Sequence, residues 1–292
     1  MDSKHFGFVQ FEFAGTLPVA DGRYLARGAG EDGAQSVLVL ETLAAPAPPG
    51  RRRRRPSEAD PDAGLPTLPL ARATAVRAFH PFADGTEAAA WLNAALAEES
   101  SIDALVAEGI GLLNRALHAH GAAAADPHGA ELAPEAAVSV RIGIGSGDEV
   151  AAGRFTLARD VDIRAPASRR DRRERELRPQ ERMAAVLGRR EQIDPCETLL
   201  LRARADLDGG RLRDAALQLR VGLEALLVEL QGALVDPGHV EDMNELSTRR
   251  GEAGEAANTA LRGDLDADAT RNVGELLEIC ERVLRRRRVL RG

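Results

Sequence analysis

The sequence predicts an α+β protein: a mainly antiparallel sheet with two helices, then a C-terminal up-down helical bundle. Three observations carry this expectation. Aromatic and β-branched residues gather in short N-terminal segments separated by Gly, Pro and Asp turns. Every Phe, Tyr and Trp falls before residue 156. Beyond residue 190 the aliphatics recur at helical spacing, with a heptad seam of Leu212, Ala216, Leu219, Leu223, Leu226 and Leu230. Such a seam lies along one stripe of a helix, which must be buried against other helices.

The elements follow in order. His5 to Phe13 reads as a strand holding Phe6, Phe8, Phe11 and Phe13. Its alternation slips between Phe8 and Phe11, which predicts a bulge or burial on both faces. Ala20-Asp21-Gly22 is a turn, Arg23 to Arg27 a second strand, and Ser36 to Leu40 a third, made of nearly continuous aliphatics. Residues 45–69 hold seven of the chain's fifteen prolines and the run Arg51 to Arg55, and read as a mobile inserted loop. Leu70 to Phe79 is a fourth strand. Asp84 or Thr86 caps a helix through Trp91 and Leu96, and Ser101 caps a second with Leu105, Ile110, Leu113 and Leu117 at helical spacing. Gly121 to Glu131 reads as a loop. Ala137 to Ile144 and Arg154 to Ile163 complete the strands.

The bundle has its own punctuation. Residues 164–178 form a basic linker, and Pro179 suits the first turn of a helix ended by Gly188. Asp194-Pro195 opens the next helix, and Asp208-Gly209-Gly210 makes a tight turn into the seam helix, which runs to about Leu234. Asp236-Pro237 starts a helix carrying Val240, Met243, Leu246, Ala253, Ala257 and Leu261, stopped by Gly263. Asp266 or Asp268 caps the last, which carries Leu276, Leu277, Cys280 and Val283 and ends at Arg285 to Arg288, a cationic turn favoured by the helix dipole. Short connections predict antiparallel neighbours. The expected domains are residues 1–163 and 179–292.

Composition narrows the function classes. The 292 residues carry a net charge of −7, spread as −8 over 1–150, +6 over 151–190 and −5 over 191–292. A basic connector between acidic domains can be satisfied internally. No run of apolar residues is long enough to span a membrane. The first residues lack the basic start and apolar run of a secretory signal. The two cysteines, Cys196 and Cys280, fall on apolar helix faces, so reduced thiols and a cytoplasmic location are expected. One lysine stands against 38 arginines, which with abundant alanine reflects GC-rich codons, as in a high-GC bacterium.

Candidate chemistry is sparse. Gly143, Gly145, Ser146, Gly147, Asp148 and Glu149 follow a strand and read as a glycine-rich loop; a small-molecule site is sought here first. The dinucleotide fingerprint fails at Asp148, and no Gly-Lys-Ser/Thr completes a phosphate loop. His118, His120, His128, Asp126 and Glu131 form the densest metal-capable set. His118 and His120, two apart on a helix, point apart and cannot share an ion, so no metal and no cofactor is expected. No Gly-x-Ser-x-Gly elbow occurs, and both thiols lie among aliphatics, where a thiolate is disfavoured.

The stretch Asp208 to Arg220 resembles one helix hairpin of a tetratricopeptide repeat, without a second copy at that family's period. The helix layout resembles the HEPN bundle, whose nuclease members carry Arg, four to six residues, then His on a late helix. No histidine follows His239, and the match Arg115 to His120 lies in the first domain, so the resemblance does not imply a nuclease.

Three readings follow. The first is a non-enzymatic interaction or regulatory protein whose seam serves as core or as the contact for a protein partner or a second copy. The second is a small-molecule-binding protein or enzyme with its site at Gly143 to Glu149. The third is nucleic-acid binding through Arg51 to Arg55 and Arg169 to Arg175.

Overall fold

Phe8 and Phe11 point to opposite faces of the first strand and both are fully buried, which places that strand at the centre of a sheet covered on two sides. In the computed structural model, which describes residues 4–27, 35–43, 69–163, 180–230 and 236–291, six strands form one antiparallel sheet. They are β1 (His5–Ala14), β2 (Gly22–Arg27), β3 (Gln35–Leu43), β4 (Leu70–Val76), β5 (Ser139–Ser146) and β6 (Leu157–Asp160), in the order β2-β3-β4-β1-β5-β6. Among the described residues the fold is α+β, with the sheet preceding a helical region. The predicted loop at 45–69 lies outside the described residues save Pro69, as do the linker at 164–178 and both arginine runs.

The slipped alternation of β1 is burial on two faces, not a bulge: its pairing with β4 and with β5 runs without interruption. Val9, Phe11 and Phe13 join the core shared with the helices α1 (Gly85–Ala95) and α2 (Glu99–Ala124). Gly109 of α2 admits this approach, because a Cβ there would lie 3.0 Å from Phe11. The opposite face carries Phe8, Gln10 and Glu12. Gln10 is buried, and its amide donates to Thr74 Oγ1 at 3.0 Å and to the Gly153 carbonyl at 3.1 Å. Glu12 accepts from Arg72 of β4 and Arg141 of β5, and Arg141 also reaches Asp160 of β6.

Several boundaries differ from the sequence reading. β4 stops at Val76: the Arg77 amide still donates to the Gly7 carbonyl, and the chain then turns, with the His80 amide on the Arg77 carbonyl, so that Phe82 bridges His5. Asp84 is the cap of α1, accepting from the amides of Thr86 and Glu87. Ser101 does not cap α2, which starts at Glu99, and the helix runs through Gly121 to Ala124 because the alanines there favour it. Ala125, at φ 53°, then closes it in the left-handed region. β6 is shorter than predicted at both ends; before it, the Gly153 carbonyl accepts from Gln10 and the Phe155 ring lies 6.1 Å from that of Phe8.

A division between Pro166 and Ala167 separates the sheet-bearing unit from a helical one. The latter contains α4 (180–187 within the described residues), α5 (Pro195–Asp208), α6 (Leu212–Glu229), α7 (Pro237–Arg262) and α8 (Ala267–Arg291). Pro195 and Pro237 sit in first turns, and Asp236 and Asp266 cap α7 and α8 through the amides of His239 and Ala269. α6 ends at Glu229 rather than Leu234, and α8 continues past Arg288 to Arg291. Leu200, Leu219, Leu223, Leu226, Leu246, Leu276 and Val283 belong to one buried cluster. Val240 and Leu261 of α7, predicted to face it, are exposed; the helix packs instead through Leu246, Ala253, Ala256 and Ala260. No helix among the described residues is long and apolar enough to cross a membrane.

Candidate functional site

The predicted glycine loop is a strand. β5 continues through Gly143 and Gly145 to Ser146, pairing Gly143 with Phe8 and Gly145 with Phe6. Packing explains the glycines. A Cβ at Gly143 would lie 2.6 Å from both the Leu157 carbonyl oxygen and Phe8 Cζ, and one at Gly145 would lie 2.8 Å from Val150 Cγ2. The space a ligand would need against this backbone is filled by the protein's own aromatic and aliphatic groups.

Beyond the strand, Gly147 begins the five-residue helix α3 (Gly147–Ala151), and Ser146 with Glu149 forms a reciprocal capping box. Glu149 Oε2 accepts from Thr156 Oγ1 at 2.6 Å and from the Ser146 amide at 3.1 Å. These bonds, Thr156 first, hold the Glu149 carboxyl below its ordinary range. It therefore stays ionised and serves the turn. Asp148 is exposed in the first turn of α3.

The heptad seam is also spent internally. Ala216, Leu219, Leu223, Leu226 and Leu230 are buried and Leu212 is half-buried, all on the side of α6 that meets the other helices. Gly222 lets α5 approach, with Leu200 against it. The seam is a core, and no part of its buried stripe is open to a partner.

One cluster was not anticipated. Glu197, His239, Asp242 and Arg287 are all buried, and all lie at one end of the bundle, where α5 and α7 begin and α8 finishes. Asp242 accepts from Arg282 and Arg286. Arg287 contacts Asp194 and lies 4.0 Å from Glu197, whose second oxygen accepts from Arg182 at 2.7 Å. Of the arginines read as a dipole-favoured helix end, Arg286, Arg287 and Arg288 are therefore partners of specific carboxylates at the start of α5 and on α7. Glu229 of α6 caps α5, accepting from the Cys196 amide at 3.2 Å. Burial first, then the Glu229 carboxylate, pushes the Cys196 thiol far up, and burial pushes Cys280 up to about 12. Neither is a thiolate nucleophile. Neither ring nitrogen of His239 has a hydrogen-bond partner. Asp242 and Glu197 each have arginine partners, whereas Arg287 Nε and Nη1 make no hydrogen bond despite the contact with Asp194; the carboxylates join helices through their arginines. The sequence signals were pairs three apart, Asp194 with Glu197 and His239 with Asp242, which share a helix face.

The His118 region forms a groove of about 440 Å³, lined by Leu117, His118, Gly121, Asp126, Pro127 and Glu131 among others. His120 and His128 do not line it. No group of three or more metal-capable side chains among the described residues could hold an ion.

No family model matches the chain, and neither a curated protein nor a solved structure matches it at a significant level. The likeness to tetratricopeptide and HEPN helices accordingly rests on helix layout alone.

Proposed function

We propose that the chain is a non-enzymatic interaction protein of the cytoplasm, and that its helical unit associates with a second copy through the outward stripe of α6. One observation carries this reading. With the leucine seam turned inward, α6 keeps two valines on its outer side, Val221 and Val228, at 54% and 75% exposure. The two lie seven residues apart on one face of α6, with Glu224, ion-paired to Arg250 of α7, between them. The same stripe on a second copy is self-complementary about a two-fold axis. Met183 and Leu187, one turn apart on α4, are exposed at 57% and 76% and add to the apolar surface of this unit.

Light scattering on the full chain across a range of concentrations tests the reading. The expected result is a concentration-dependent dimer that Val221→Glu with Val228→Glu converts to monomer, with circular dichroism unchanged. A strict monomer at all concentrations, or a dimer indifferent to both substitutions, overturns it. Catalysis at Gly143 to Glu149 loses its motivation with the packing described above. Nucleic-acid binding through Arg51 to Arg55 would show as a salt-sensitive shift with RNA or DNA.

A further inference from the structure

We propose that the connection between β5 and β6 is a strap that lifts as a unit when Glu149 loses its charge, uncovering the apolar patch around Phe8. Residues 147–156 fold back over the face of the sheet opposite α1 and α2. There α3 places Val150, 1% exposed, in one buried cluster with Phe8, Val39 and Val76. The Phe155 ring follows, 6.1 Å from that of Phe8, and the Gly153 carbonyl accepts from the buried Gln10 amide at 3.1 Å.

Within the strap the backbone is bonded to itself. The amides of Ala152, Gly153 and Arg154 donate to the carbonyls of Asp148, Glu149 and Val150. Lifting the segment breaks none of these bonds and leaves β5 paired with β1. Gly153, at φ 69°, supplies the left-handed turn that sends the chain back toward β6. Backbone bonds to the sheet lie at the two ends, where the Gly147 amide donates to the Lys4 carbonyl and the Thr156 amide to the Ile144 carbonyl. Between those ends the strap meets the sheet through the Gln10 bond and the side chains of Val150 and Phe155. A segment held by so few contacts opens at lower cost than the whole domain.

Glu149 is the latch because a single oxygen joins both ends. Its Oε2 accepts from the Ser146 amide at 3.1 Å and the Ser146 hydroxyl at 3.2 Å on one side, and from Thr156 Oγ1 at 2.6 Å on the other. Bonds to an ionised acceptor are roughly twice as strong as neutral ones, so loss of the charge loosens both ends together. The charged groups around the latch are Asp148 and Arg154 of the strap, Lys4 and His5 at the start of β1, and Glu41 of β3 with Arg72 of β4 beside Gly153. Of these, Arg154 favours the ionised form, adding to the Thr156 and Ser146 bonds that hold the carboxyl low. The strap is therefore fully latched above the ordinary 4.5 and released as pH falls through the lower folded value.

Hydrogen exchange of the full chain, read by mass spectrometry as protection factors, tests the proposal. At neutral pH, Glu149→Ala is expected to lower the protection of residues 150–157 about tenfold or more, while β1, β4 and α2 keep theirs. Thr156→Val, which removes the shortest latch bond, is expected to give a smaller loss in the same segment. In the wild-type chain that segment loses protection first as pH falls below 4.5, and the apolar dye ANS binds before the fluorescence of Trp91, on the other side of the sheet, changes. Unchanged protection in Glu149→Ala overturns the proposal. So does a loss shared equally by β1, β4 and α2, or an acid transition in which the strap and Trp91 respond together. The light-scattering experiment on α6 is independent of this result.

Discussion

Replacing Gly143 with Ala distinguishes a glycine kept for packing from one kept for ligand approach. The added methyl would meet the Leu157 carbonyl oxygen at 2.6 Å, Phe8 Cζ at 2.6 Å and Ala158 Cβ at 2.8 Å. Two of these cannot rotate aside: one is backbone of the neighbouring strand and one is a Cβ. Relief requires β5 and β6 to separate or the fully buried Phe8 ring to leave its place. Overpacking of this kind costs about 1–3 kcal/mol, and the rigid neighbours put Gly143→Ala in the upper part of that range. With a urea dependence of about 2 kcal/mol per molar, the unfolding midpoint falls by roughly 1 M. Trp91, the sole tryptophan, lies on α1 in the sheet-bearing unit, so its fluorescence follows that unit. Gly111→Ala is the matched control. Nothing lies within 4 Å of a Cβ there, in the interior of α2, so the substitution raises stability by about 0.5–1 kcal/mol. An unchanged midpoint for Gly143→Ala would refute the packing explanation and return the strand end to candidacy as a ligand site.

The remaining expectations are simpler. Leu223→Ala empties a buried site in the bundle core and costs about 2–5 kcal/mol by denaturant titration followed by circular dichroism, whereas exposed Val228→Ala costs less than about 0.5 kcal/mol. Asp242→Asn removes the charge held by Arg282 and Arg286; because both guanidinium groups are more than a third exposed, solvent screening limits the cost to about 1–2 kcal/mol. Glu149 has a folded pKa below its ordinary 4.5, so its contribution to stability is full above that value and is lost as pH falls through the lower folded one. Thr156→Val removes the largest cause of the shift, and carboxyl chemical shifts followed against pH should show Glu149 titrating closer to 4.5.

What the sequence revealed was local. Asp84, Asp236-Pro237 and Gly209-Gly210 mark helix ends through bonds made within a few residues, and Asp194-Pro195 marks another through the proline at the first position, without a side-chain cap bond. The seam from Leu212 to Leu230 needed only a period of 3.6 to be seen. The end of β5 was hidden because Gly143 and Gly145 look like a loop until Phe8 and Phe6 stand opposite them, across more than 130 residues of chain. The extent of α2 was hidden because Gly121 suggests a stop, while the stop is Ala125. Whether the seam met another molecule or its own chain could not be read from a period, which fixes the stripe and not the partner.

The same distinction explains the charged layer at the bundle end. Leucine and alanine recurring every three or four residues pack acceptably when one helix slides a turn along its neighbour, so the aliphatic core alone leaves register loosely set. Asp242, held between Arg282 and Arg286, and Arg287, facing Asp194 and Glu197, do not tolerate that slide. Moving α8 by one turn would take Arg286 past Asp242 and leave a buried carboxylate with a single partner, while Arg287 would leave the start of α5. An ion pair buried in this way adds little net stability over a well-packed apolar pair, yet breaking it is costly. Its contribution is therefore discrimination: the aliphatic ridges supply the driving force for the bundle, and the ion pairs of Asp242, Glu197 and Arg287 at one end select a single alignment of α5, α7 and α8.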